Sequence, residues 1–174
     1  MILGHLYSNN IGFIHLIFSI VAVITGTIVL VSTKGTRYHK IIGRLYVFSM
    51  FGLLVTAFSI YNLYGKFAIF HWLAVLSSIT LLGGMIPMFL KRPKSYVTLH
   101  FSFMFWSVLG LYGAFIAEIF VRIPKIVIED GAPNPLFYNL IGVGVFIVMG
   151  FGYFFFFRNK RKWARLDKSL DVKD

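Results

Sequence analysis

The sequence predicts an all-α integral membrane protein, in which an up-down four-helix bundle forms the core and a fifth transmembrane helix follows it. Two observations support this fold class. Of the 174 residues, 58% are hydrophobic, and the mean hydropathy is +0.80. The apolar residues form five runs, each reaching the about 20 residues that are needed to cross a hydrocarbon layer about 30 Å thick. A lipid bilayer is therefore the partner that this composition requires.

The five predicted spans follow one another with short polar separators between the first four. The spans cover approximately Ile11–Val31, Ile41–Leu63, Phe67–Leu90, Val97–Phe120 and Leu136–Phe157. The separators are Ser32–Lys40, a tight turn at Tyr64-Gly65-Lys66, and Lys91-Arg92-Pro93-Lys94. Because short connections place consecutive helices side by side and antiparallel, the first four spans are expected to form the bundle. A longer loop, Val121–Pro135, leads to the fifth span, so residues 1–157 make one transmembrane domain.

The distribution of lysine and arginine predicts the orientation in the membrane. One side of the predicted bundle carries 14 basic residues, in 32–44, 91–94 and the tail 158–174, whereas the other side carries Lys66, Arg122 and Lys125. Cytoplasmic segments of membrane proteins are enriched in lysine and arginine. We therefore expect a multi-pass protein of the cell (inner or plasma) membrane, with the N-terminus outside and the C-terminus in the cytoplasm. The basic tail is interpreted as a segment that lies on anionic lipid.

Composition also excludes several functions. The net charge of +11 does not indicate nucleic-acid binding, because the basic residues lie between and after the apolar runs rather than in a folded basic domain. The absence of cysteine excludes disulfides, thiolate metal sites, covalently attached haem and iron–sulfur clusters. No catalytic residue is predicted. Glu118, the acidic residue inside a span, is interpreted as the i,i+4 partner of Arg122, with proton transfer as the alternative.

Four histidines are the candidate functional residues. His15, His39, His71 and His100 each lie close to the start of one of the first four predicted spans. Because the spans alternate in direction, His15 and His71 are expected near the outer face, and His39 and His100 near the inner face. Ionisable residues inside a membrane are costly and usually functional. The alternative is that each ring lies at the membrane interface as an amphipathic side chain. His5, in the N-terminal segment, stands outside the pattern and is expected to be solvated.

The pairing of these histidines predicts two b-type haems. Neighbouring helices of a bundle lie about 8–10 Å apart, so diagonal helices lie roughly 11–14 Å apart. Two imidazoles that face each other across one iron need about that separation. The first and third spans are diagonal, as are the second and fourth, which pairs His15 with His71 and His39 with His100. The two levels are separated by roughly 20 Å at about 1.5 Å per residue.

Further residues are predicted to surround the haems. Gly43 follows His39 by four residues and Gly26 follows His15 by eleven, so each glycine shares a helical face with its histidine. A missing side chain there would let a porphyrin approach the backbone. The inner propionates are assigned to Arg37, Lys40 and Arg44. The outer propionates are assigned to Lys66, Arg122 or Lys125.

Two resemblances extend this interpretation. The segment Lys34-Gly-Thr-Arg-Tyr-His-Lys-Ile-Ile-Gly-Arg-Leu-Tyr46, with Gly12-Phe-Ile-His15 before it, resembles a family of small bacterial predicted membrane proteins with a His-Arg/Lys-x-x-Gly-Arg-x-Tyr motif. That resemblance implies no activity. The arrangement of the histidines also resembles that of two-haem transmembrane cytochromes b of the ascorbate-reducible type. It implies bis-histidine haem b and electron transfer across the membrane, although this chain has five spans rather than six and no counterpart of an ascorbate-binding motif.

Three functions follow from these residues. The first is a di-haem electron carrier, for which quinol or another redox partner would serve as donor or acceptor. The second is a metal-binding membrane protein or hydrolase, in which His15, His71 and His5 hold zinc or copper near Glu118. The third is a membrane scaffold or transporter subunit without catalytic activity. The sequence leaves the oligomeric state open, including a homo-oligomer.

Overall fold

The protein is described by a computed structural model that covers residues 10–61, 65–121, 128–129, 132–133 and 135–171. Within these ranges there are five helices, α1 Asn10–Val31, α2 Arg37–Ser59, α3 Ile69–Leu90, α4 Tyr96–Val121 and α5 Pro135–Asp171. All five are long and apolar enough to span a membrane. The predicted fold class is thus confirmed. A short antiparallel ladder between β1 Ile128–Glu129 and β2 Ala132–Pro133, which the sequence did not predict, precedes α5.

The first four helices form a square, and the fifth lies outside it. Helix α2 packs between α1 and α3, and α4 packs between α3 and α1, so α1 and α3 face each other diagonally, as do α2 and α4. Helix α5 packs on the outer side of α4. Helix α4 therefore has neighbours on three sides, which explains why it is the most buried of the five spans.

Glycines allow the helices of neighbouring pairs to approach closely. In α2, a Cβ built on Gly52 would lie 2.5 Å from the Phe18 ring of α1. In α3, a Cβ on Gly83 would lie 2.8 Å from the Phe103 ring of α4. Lipid tails are as apolar as the side chains, so helices in a membrane associate largely through such close van der Waals packing.

Helix α2 begins four residues before the predicted span, and this difference changes the setting of His39. Thr36 is the N-cap, and its hydroxyl accepts a hydrogen bond from the backbone N–H of His39 at 3.2 Å. This cap satisfies one of the N–H groups that have no partner within the helix. His39 is thus the third residue of α2 rather than a residue of the preceding loop. The helix also ends earlier than predicted, at Ser59.

Helix α5 continues beyond the predicted span into the basic tail. It runs to Asp171, so residues 158–171 are helical rather than a separate segment. Trp163 is buried and packs against the rings of Phe101, Phe105 and Phe156. Lysine and arginine are good helix formers, and this aromatic packing holds the extension against α4.

The two ends of the bundle are distinguished by charge. We call the end formed by the start of α2, the start of α4 and the basic part of α5 the basic end, and the other end the opposite end. The connection between α3 and α4 at the basic end carries the exposed Lys91, Arg92 and Lys94. The basic end is the one that the sequence predicts to be cytoplasmic.

Candidate functional site

All four candidate histidines lie within the first two turns of their helices. His39 and His71 are the third residues of α2 and α3, His100 is the fifth residue of α4, and His15 is the sixth residue of α1. Because consecutive helices are antiparallel, His39 and His100 lie at the basic end, and His15 and His71 lie at the opposite end. This arrangement agrees with the alternation that the sequence predicted.

The basic-end pair, His39 and His100, comes from diagonal helices. The Phe101 ring contacts both imidazoles, with centroid distances of 5.9 Å to His39 and 5.1 Å to His100. The two histidines also lie close enough for their charges to interact, and each interacts with the ammonium group of Lys34. His39 is buried and His100 is half-buried. The pair is therefore one cluster.

Hydrogen bonds engage Nδ1 in both members of the basic-end pair. His100 Nδ1 lies 2.8 Å from the carbonyl oxygen of Gly84, so Nδ1 carries the proton and donates it. His39 Nδ1 lies 3.1 Å from Ser32 Oγ, and it is the donor there when the Ser32 hydroxyl donates to the carbonyl of Val29, also at 3.1 Å. In neutral imidazoles this leaves Nε2 unprotonated. That is the tautomer in which histidine binds a metal while Nδ1–H is oriented by a carbonyl or hydroxyl.

Space and charge beside His39 also suit a large ligand. No atom lies within 4 Å of a Cβ built on Gly43, one turn after His39. Arg37, Lys40 and Arg44 are exposed around the same turn. The haem contacts that the sequence assigned to Gly43 and to these three basic residues stay predictions.

Lys34 is a further basic residue of this end that the sequence analysis did not single out. Its Nζ donates to the carbonyls of Val29 and Leu30, at 2.6 and 2.7 Å, and so caps the C-terminus of α1. Burial lowers the pKa of the Lys34 ammonium to about 8. A lysine three residues after the end of an apolar helix was the sequence feature that could have predicted this cap.

Gly26, which the sequence placed beside a haem, lies against the ring of Tyr46. A Cβ at this position would lie 2.9 Å from the Tyr46 ring and 3.3 Å from Val108. Tyr46 is fully buried, and its hydroxyl lies 2.8 Å from Ser107 Oγ on the diagonal helix α4. The Tyr46 ring thus occupies the centre of the bundle, where the sequence analysis had expected a porphyrin to approach Gly26.

At the opposite end, His15 bonds to α2. Its Nδ1 lies 2.9 Å from Thr56 Oγ1. The Thr56 hydroxyl donates to the carbonyls of Gly52 and Leu53, so its oxygen accepts from His15 Nδ1–H. Nδ1 of His15 therefore carries a proton, as Nδ1 of His100 does.

His71 has the reverse tautomer. Its Nδ1 accepts from the backbone N–H of Ala68 at 3.2 Å, so the proton of the neutral ring lies on Nε2. His71 is 4% exposed, and its Nε2 has no hydrogen-bond partner among the described residues. The rings of Tyr61 and Phe67 both contact the imidazole, with centroids 4.4 and 4.8 Å away. The histidines of the opposite-end pair thus differ in chemistry although they match in depth.

The remaining predicted residues do not assemble into a protein-only metal site within the described chain. No group of three or more His, Cys, Asp or Glu side chains that could hold a metal occurs in the ranges that the structure covers. Lys66 is exposed. His5, Arg122 and Lys125 lie outside the described residues, and with them the Glu118–Arg122 pair and the outer propionate contacts at those two positions.

Comparison with known protein families gives a match over most of the chain. The model of a family described as predicted membrane protein (DUF2306) matches residues 12–156. This agrees with the first resemblance drawn from the sequence, at the level of a family of predicted membrane proteins. No curated protein and no solved structure matches the chain.

Proposed function

We propose that this chain, which belongs to the DUF2306 family of predicted membrane proteins, binds haem b at its basic end and transfers electrons within the membrane. The observation that carries the proposal is the geometry of His39 and His100. Two imidazoles from diagonal helices lie beside one phenylalanine ring, and both have Nδ1–H engaged in a hydrogen bond.

The number of ligands favours haem over a protein-only metal site. Zinc and copper sites in proteins usually need three or four protein ligands. A porphyrin supplies four nitrogens, so two histidines complete the coordination of its iron. The described chain offers histidines in pairs and no group of three.

Residues of this chain would hold and orient the haem in defined ways. Ser32 Oγ and the Gly84 carbonyl fix the two imidazole planes through Nδ1, and Gly43 leaves room beside His39. The exposed Arg37, Lys40 and Arg44 would receive the propionates. A haem held between two imidazoles supplies a one-electron centre with both axial positions filled, which favours electron transfer over oxygen binding.

The second haem, between His15 and His71, is the part of the proposal that fits this structure less well. His71 presents a protonated Nε2, whereas His15 bonds to Thr56 through Nδ1. Ligation by His71 Nε2 would require the ring proton to move to Nδ1, and the Ala68 N–H would lose its acceptor. We therefore base the function on the basic-end haem, and the second haem stays a prediction.

The test is the haem content and spectrum of the purified protein. Cells are grown with a haem precursor, and the haem is quantified as its pyridine complex. We expect a low-spin b-type spectrum that is lost in His39→Ala and in His100→Ala. Added imidazole should restore the low-spin spectrum of either variant, because it can occupy the vacated axial position. His5→Ala, outside the histidine pattern, is the matched control and should retain its haem.

Two results would overturn or extend the proposal. A folded protein that remains colourless after reconstitution with haem would overturn it and would favour the scaffold interpretation. Loss of half of the haem in His71→Ala would establish the second site.

Orientation is the remaining part of the proposal. The concentration of basic residues at one end supports a cytoplasmic basic end and an external N-terminus. Reporter fusions after Lys94 and after Asp174 should both be active in the cytoplasm. An external signal from both fusions would reverse the assignment.

A further inference from the structure

We propose that His71, Tyr61 and Phe67 form a binding site for the ring of a lipid-soluble quinone at the opposite end of the bundle. Binding itself is independent of the basic-end haem, and only the use of the quinone as an electron donor or acceptor rests on the proposed function. His71 differs from His100 in the role of its Nδ1, which accepts a hydrogen bond in His71 and donates one in His100.

His71 presents a buried hydrogen-bond donor that the described chain leaves unsatisfied. The Ala68 N–H donates to Nδ1, so the proton of the neutral ring is on Nε2, and Nε2 has no acceptor among the described residues. The side chain is 96% buried, as its exposed fraction is 4%. A buried donor without an acceptor is costly, and in native proteins it calls for a specific explanation. A ligand with an acceptor oxygen would satisfy it.

Aromatic rings surround this donor and reach the lipid. The Tyr61 and Phe67 rings both contact the imidazole, tilted by 32° and 31° to its plane. They are 42% and 44% exposed, so each ring also presents surface beyond the histidine. Trp72, which is 63% exposed, meets the Phe67 ring edge-on at 5.3 Å. The donor thus lies beside a set of aromatic rings that is open to the membrane.

These features together select the ligand class. The ligand needs a hydrogen-bond acceptor for Nε2–H, a flat ring to stack on Tyr61 or Phe67, and solubility in lipid. A quinone has all three, because its carbonyl oxygens lie in the plane of an aromatic-sized ring. Iron does not bind a nitrogen that carries a proton. A phospholipid ester offers the oxygen but has no ring to stack.

The test is binding of decylubiquinone to the protein in nanodiscs of a single phosphatidylcholine. Quenching of tryptophan fluorescence reports binding, because Trp72 lies beside the proposed site. We expect saturable quenching in the unmodified protein. In His71→Leu the affinity should fall by about tenfold, which corresponds to the loss of one buried hydrogen bond. In His71→Gln the affinity should stay within about threefold, because glutamine can accept from the Ala68 N–H and still donate through its amide.

Aromatic variants and covalent labelling provide independent readouts. Tyr61→Leu and Phe67→Leu should each weaken binding, whereas Tyr153→Leu, an exposed tyrosine of α5, should not. An azido derivative of the same quinone should label peptides between residues 61 and 72 in the unmodified protein. This labelling does not depend on whether a His71 variant folds.

The outcomes separate this inference from the proposed haem. Equal affinity in the unmodified protein and in His71→Leu, labelling elsewhere in the chain, or quenching that does not saturate against the lipid would each overturn the quinone site. Loss of half of the haem in His71→Ala would also overturn it, because His71 would then be a ligand to iron. A colourless protein that binds quinone through His71 would support the site and refute the haem.

Discussion

The hydrogen bond between Tyr46 and Ser107 gives the sharpest test of how the bundle is held together. The tyrosine hydroxyl and the serine hydroxyl meet at 2.8 Å across the diagonal, and both side chains are about 1% exposed or less. Removing either hydroxyl alone leaves the other without this partner. The two substitutions are nevertheless expected to lower the free energy of unfolding by different amounts, because the two hydroxyls differ in the other acceptors that they can reach.

Serine in a helix can turn its hydroxyl to the carbonyl four residues earlier. Ser49, Thr56 and Ser78 already bond in this way in the protein, at 2.8 Å. In Tyr46→Phe, Ser107 can do the same with the carbonyl of Phe103, so the free energy of unfolding should fall by only about 0.6 kcal/mol, the mean for such bonds in membrane bundles. In Ser107→Ala, the Tyr46 hydroxyl is left buried in the bundle centre, and the loss should be about 1–3 kcal/mol.

The double variant completes the cycle. Once both hydroxyls are gone, no buried polar group remains at this position, so Tyr46→Phe/Ser107→Ala should be more stable than Ser107→Ala alone. The free energies are measured by reversible unfolding in mixed micelles with increasing dodecyl sulfate, followed by circular dichroism. Ser78→Ala, which removes a hydroxyl bonded only within its own helix, is the matched control. If Tyr46→Phe costs more than Ser107→Ala, or if the two losses simply add in the double variant, the reasoning is wrong.

Three further predictions concern other parts of the molecule. Gly26→Ala should lower the free energy of unfolding by about 1–3 kcal/mol through overpacking. Gly43→Ala should instead raise the free energy of unfolding by up to about 1 kcal/mol through helix propensity, and it should weaken haem binding. The same unfolding assay measures the two stabilities, and a haem titration measures the binding. Lys34 should be acylated by acetic anhydride with a midpoint near pH 8, since burial lowers its pKa to about 8 and only the neutral amine reacts; peptide mass spectrometry gives the rate. Trp163→Ala should release the end of α5 from α4 and expose its lysines and arginines to trypsin, with a matched Trp72→Ala variant unaffected there.

Each of these three predictions has a result that contradicts it. Equal effects of alanine at the two glycines would mean that the packing around them is the same. An acylation midpoint near that of free lysine would mean that Lys34 is solvated rather than buried against the carbonyls of α1. Unchanged proteolysis of Trp163→Ala would mean that the α5 extension is held by something other than its aromatic contacts.

The number of helices and their antiparallel order could be predicted from the sequence because both depend on simple lengths. A bilayer requires about 20 apolar residues per span, and short separators require consecutive helices to run antiparallel. The ends of the helices were predicted less accurately. Helix α2 begins at Arg37 because Thr36 caps it, and α5 continues through charged residues. Neither end can be predicted from the length of an apolar run.

The histidine positions were predictable for the same reason, but their chemistry was not. The position of each histidine along its span predicted at which end of the bundle it lies. The tautomer of His71 depends on a backbone N–H in the connection before α3, and that of His100 depends on a carbonyl of a neighbouring helix. Likewise, the Tyr46 ring reaches Gly26 only because α1 and α2 take particular rotations in the bundle. Such contacts depend on tertiary packing, which spacing along one helix does not contain.

The positions of His39, Gly43 and Tyr46 on a single face of α2 restrict how the protein can move. These residues are four and three positions apart, so one rotation about the helix axis would withdraw the histidine from its cluster and the tyrosine from the bundle centre together. The Tyr46 ring is fixed at both ends, by Gly26 beside it and by Ser107 at its hydroxyl. Helix α2 therefore has one rotational setting and serves as the fixed axis of the molecule. Sliding of α1 or α4 along α2 would likewise have to break a contact of the Tyr46 ring.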